Sequence, residues 1–104
     1  MKNFNDLTFE IRTIDKKLYM DYLKTYPQTW MTDYGIWSKM SFENGYGIQV
    51  SKGPQTIGGS MNLYEACVLD ADGNVLESNP VMSGSVGNLD EAAVTDYMLQ
   101  IQNL

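Results

Sequence analysis

The sequence predicts an α+β protein: an antiparallel sheet of four to five strands with an N-terminal and a C-terminal helix packed on one face. Three observations carry that class. Asn44-Gly45 stands between two alternating apolar runs, the strongest short-range hairpin signal. A further run, NLYEACVLD, leads directly into Asp72-Gly73-Asn74, residues that favour turns. The last sixteen residues carry apolar side chains at helical spacing.

Taken in order, LTFEIRTI (residues 7–14) alternates, with Leu7, Phe9 and Ile11 on one side and Thr8, Glu10 and Arg12 on the other, a half-buried strand. From about Asp15 to Tyr26, Leu18, Tyr19, Tyr22, Leu23 and Tyr26 oppose Lys16, Lys17, Asp21 and Lys24. That is an amphipathic helix, which Pro27 prevents from continuing. The segment QTWMTDYGIW lacks a clear period and predicts an irregular connection over the sheet, bringing Trp30, Tyr34 and Trp37 together, with Gly35 turning into the next strand.

The hairpin follows, with Met40 and Phe42 sharing a face of one arm and Tyr46, Ile48 and Val50 a face of the other. A type I′ turn at Asn44-Gly45 needs positive φ at both residues, which these two tolerate. NLYEACVLD and NVLES form a second hairpin, and Pro80 ends the sheet because it cannot donate to a ladder. The final helix starts at Asn88, with Glu91 completing a capping box and Val94, Tyr97, Met98 and Ile101 as its apolar stripe.

At 104 residues the chain has the size of one domain, and no linker or repeat divides residues 1–104. Hydrophobic content of 43% with 12% aromatic residues argues against disorder. Seven Tyr and two Trp exceed what so small a core hides, so some rings are expected at the surface, where they suit interfaces. The lone Cys67 excludes an internal disulfide; within AlaCysValLeu it reads as a small core residue. No apolar leader or membrane-length run is present, which makes the cytoplasm the expected compartment.

Chemistry finds little support. The chain has no His, so the usual general base and metal ligand is missing. Gly53 to Ser60 approaches a phosphate-binding loop, but Gly59 stands where the lysine must reach the phosphates. Asp70, Asp72 and Asn74 resemble the start of a calcium loop, yet the required Gly and Glu positions are Val75 and Val81. No catalytic residue, cofactor or metal is therefore expected.

Charge is more informative. Residues 1–52 hold all seven basic groups against six acidic ones; residues 53–104 hold seven acidic groups and no basic one. Such a half repels nucleic acid and attracts basic surfaces if its carboxylates share a face. Residues 45–54 (GYGIQVSKGP), Gly58-Gly59, residues 63–70 (LYEACVLD) and Asp72-Gly73-Asn74 resemble small uncharacterised accessory proteins of tailed bacteriophages, over residues 42–104. The resemblance implies a protein that binds and inhibits a bacterial host protein, such as a CRISPR or restriction component, by occupying a basic groove meant for nucleic acid. Asp70, Asp72, Glu77, Asp90, Glu91 and Asp96, with Trp30, Tyr34 and Trp37, would form the contact surface. The alternative is a structural or assembly protein whose exposed aromatics build a homo-oligomer.

Overall fold

The computed structural model describes residues 1–13, 15–25, 34–54 and 56–104, without the side chains of Tyr19, Tyr22 and Tyr34. Five strands, β1 (Glu10–Thr13), β2 (Tyr34–Ser41), β3 (Gly47–Lys52), β4 (Tyr64–Leu69) and β5 (Val86–Leu89), pair in sequential order into one antiparallel sheet. Helix α1 (Lys16–Thr25) links β1 towards β2, and α2 (Glu91–Gln102) follows β5. The connection carrying Trp30, together with Tyr26 and Pro27, lies outside the described residues.

Alternation sorts β3 and β4 onto two faces. Ile48, Val50, Ala66 and Val68 are buried beneath Val94, Met98 and Ile101 of α2, which are themselves fully buried. That apolar contact is the core. Asp90 caps α2, its Oδ1 accepting the Ala93 N–H at 2.8 Å. The helix therefore starts two residues later than the Asn88 capping box predicts. Asn88 belongs to β5 instead, at a left-handed φ of 59° that Asn tolerates.

The N-terminal element packed against α2 is a 3-10 turn, Phe4–Asp6, whose Phe4 N–H donates to Thr95 Oγ1 at 3.0 Å. Phe4, Phe9 and Tyr64 form a ring cluster with centroids 5.1 to 5.7 Å apart, which half-buries Tyr64. Helix α1 forms close to its predicted bounds, with Asp15 Oδ1 accepting the Lys17 N–H. Of its apolar stripe, Leu23 is half-buried and Leu18 exposed.

Three expectations are corrected. The strand read from Leu7 begins at Glu10, and Ile11 is 70% exposed, because α2 packs on β3, β4 and β5 and leaves β1 uncovered. The first hairpin does not turn through type I′. Gly45 N–H donates to the Phe42 carbonyl and Phe42 N–H to the Tyr46 carbonyl, and only Gly45 has positive φ (91°). This is a three-residue turn in which one glycine supplies the left-handed residue. Lastly, NVLES contributes only the bridge Leu69–Val75 and a Leu76 N–H bond to Val68. Asn79 then turns the chain away by accepting the Val81 and Met82 N–H groups, and the sheet resumes past Pro80 as β5.

Met98→Ala should cost about 2–5 kcal/mol, since it opens a cavity under fully buried neighbours; urea denaturation measures it. Ser38 is buried and, among the described residues, its hydroxyl has no partner. Ser38→Ala should therefore leave stability unchanged or raise it by about 1–2 kcal/mol.

Candidate functional site

The sheet face opposite α2 is built from the residues that alternate with the core. In-register pairing sets Glu10, Trp37, Ser51 and Glu65 in one row across β1 to β4, and Lys39, Gln49 and Cys67 in the row beside it. Trp37 is half-buried. The Arg12 guanidinium lies 5.0 Å and the Lys39 ammonium 5.2 Å from its ring centroid, so two cations engage one indole. Glu10, Arg12 and Lys39 are exposed. Over β4 the same face is closed, for Cys67 and Leu69 are buried.

Beside this row a cleft of about 320 Å³ opens at the end of the sheet where β3 runs into the Gly53 loop. Arg12, Asp15, Leu18, Gln49, Pro54 and Glu65 are among the residues that line it. The loop is held by Thr56, whose hydroxyl donates to the Gly53 carbonyl and accepts the Gly53 N–H, and by Glu65, which accepts the Ile57 N–H at 3.4 Å. The stretch that resembled a phosphate loop thus folds into hydrogen-bonded turns and the 3-10 turn Gly59–Met61.

The acidic residues do not converge. Asp70 and Asp72 lie in the turn after β4, at the same end of the sheet as the Asn44-Gly45 hairpin, because Gly47 pairs with Leu69. Asp90 and Glu91 follow β5 at the other end, where Leu89 pairs with Tyr64. The length of β4 separates the two groups by about 17 Å. Glu77 sits in the 77–85 excursion and Asp96 on the exposed side of α2. Among the described residues an ion pair joins Lys24 and Asp21 on α1, at 3.8 Å.

Two of these carboxylates have local work. Asp70 Oδ1 accepts the Asp72 and Asn74 N–H groups and so closes the turn after β4; Asp90 caps α2. Among the described residues no three His, Cys, Asp or Glu side chains are grouped to hold a metal ion, and no helix is long and apolar enough to cross a membrane. Of the expected aromatics, Trp37 is placed on the open face, Tyr34 is described in β2 by its backbone alone, and Trp30 falls outside the described residues. Arg12, Lys39 and Gln49 were not singled out from the sequence. The signal was available in the alternation of β1 to β3, but it needed the register to bring them beside Trp37.

The chain matches no protein-family model, no curated protein and no solved structure.

Burial, followed by the Glu65 carboxylate, pushes the Cys67 thiol up; burial and then Glu91 push up the Tyr64 hydroxyl. Both folded-state values lie above the unfolded ones. The folded state therefore keeps these protons longer, and stability is full below the ordinary thiol range and lost as pH rises through the folded values. Urea midpoints should fall between about pH 8 and pH 11, and Cys67→Ala should flatten the early part of that fall. In native protein the Cys67 thiol should react with an aromatic disulfide reagent far more slowly than in urea.

Proposed function

We propose that this protein acts by binding another protein, through the sheet face centred on Trp37 rather than through a continuous acidic surface. The observation that carries this reading is the half-buried Trp37 between Arg12 and Lys39 on a polar face that α2 leaves open. Trp and Arg are the side chains that most often dominate binding energy, because each combines a large contact area with a directional polar group. The indole supplies apolar area, and the cations over its ring favour a partner offering carboxylates or aromatic rings there.

The carboxylates at the two ends of the sheet would flank that contact, where they steer a basic partner surface and set its orientation more than they add affinity. In line with the resemblance to phage accessory proteins, the partner would be a bacterial host protein of an anti-phage system, and binding would block it. A catalytic role has no support in the residue inventory, which offers no His.

The immobilised protein should capture a partner from lysate of a bacterial host, and purified partner should lose its own activity in proportion to the protein added. Trp37→Ala should weaken capture by about thirtyfold or more, the effect of a dominant interface residue. Asp70→Lys, Asp72→Lys and Glu77→Lys together should chiefly slow association and reduce its salt dependence. Capture equal to wild type by Trp37→Ala would defeat the reading.

A further inference from the structure

The two edges of the sheet are finished differently. β5 has four residues and an irregular register against β4. Its Asn88 N–H is taken by the Ile57 carbonyl at 3.2 Å. Gly87 lies so close to the Ile57 side chain that any Cβ there would collide with it. Bulges and covering loops of this kind protect an edge from adding another strand.

β1 is equally short, but among the described residues it has neither the irregular register nor the covering loop. Among the described residues its backbone bonds only to β2, and Glu10, Ile11, Arg12 and Thr13 are all exposed. Ile11 faces the α2 side, since it pairs with Ile36, yet α2 packs further along the sheet and leaves it 70% exposed. Leu18 and Met20 of α1, the element that follows β1, are 43% and 49% exposed.

We infer that β1 is the surface through which a second copy of this chain pairs, antiparallel about a two-fold axis at Ile11, so that two five-stranded sheets join edge to edge. The strand's own side-chain order argues for this occupant. Setting Ile11 opposite the second Ile11 places Glu10 opposite the second copy's Arg12, and Arg12 opposite its Glu10. Both charge pairs then lie on the Trp37 face, and the two isoleucines meet on the other. Neighbouring registers are worse: a shift of one residue sets Ile11 against a charge or loses the symmetric match. A shift of two sets Glu10 against Glu10 or Arg12 against Arg12. Opposite charges facing across strands favour pairing and like charges oppose it, so this order selects one register. A closed two-fold contact also uses up both free edges, which ends further growth.

Sedimentation equilibrium of the full chain over a wide concentration range tests the pairing. Wild type should reach a dimer. Glu10→Arg and Arg12→Glu should each raise the dimer Kd about tenfold or more, and an equimolar mixture of those two variants should form a heterodimer. The double variant Glu10→Arg/Arg12→Glu should recover self-pairing. Ile11→Lys, which sets two ammonium groups face to face, should be monomeric with an unchanged circular dichroism spectrum. Trp37→Ala should still dimerise, because the strand pairing does not use the indole. A wild type that stays monomeric at every concentration would overturn the pairing. So would a dimer indifferent to both single charge changes, or mixed variants that fail to associate.

Discussion

The apolar contact between one stripe of α2 and the middle of the sheet governs the rest of this structure. Val94, Met98 and Ile101 reach Ile48, Val50, Ala66 and Val68, and each of these side chains is buried. A helix with its side chains is about 10 Å across, and strands are spaced about 4.8 Å apart, so one helix can shield two or three strands. Five strands exceed that reach. The Phe4–Phe9–Tyr64 rings and the 3-10 turn extend the cover a little, but β1 and the outer part of β2 remain outside it. Among the described residues, the exposed edge at β1 and the face opposite α2 follow from the limited reach of that one helix.

Elements whose residues meet strong local rules were readable from the sequence. β3 alternates, β4 is a compact apolar run before a turn, and α2 carries an apolar stripe, so the class and the antiparallel pairing around the hairpin followed directly. The failures lie where tertiary contact outweighs local preference. Ile11 alternates like a core residue, but its burial depended on a helix whose reach no strand pattern encodes. Val86–Leu89 reads as the approach to a helix because Asn88 mimics a cap. Its Asn88 N–H is held by the Ile57 carbonyl, far away in sequence. The turn at Asn44-Gly45 was placed correctly and typed wrongly, since dipeptide identity fixes where a chain reverses more firmly than how many residues it uses.

The acidic half of the chain looks different once each carboxylate is located. Asp70 and Asp90 in that half, like Asp6 and Asp15 in the first, each accept backbone N–H groups at turns or helix starts, positions where a short carboxylate satisfies donors that would otherwise face water alone. Part of the negative charge therefore reflects how this fold closes its corners. Counting charges along the sequence cannot separate that use from a binding surface. The candidate site shows the opposite case, in which a modest set of residues (Arg12, Trp37, Lys39) gains meaning only from register.

Asn44 illustrates how closely chemistry and architecture are joined here. Its carbonyl oxygen accepts the Tyr46 N–H while its amide nitrogen donates to the Ile101 carbonyl at the end of α2, at 2.8 Å. An Asn followed by Gly is prone to spontaneous loss of the side-chain amide through a cyclic imide. In this protein the resulting acid would keep the turn acceptor but lose the donor, and would press a negative charge on the negative end of the helix dipole. Chemical ageing at one exposed hairpin would thus loosen the attachment of the helix that covers the core.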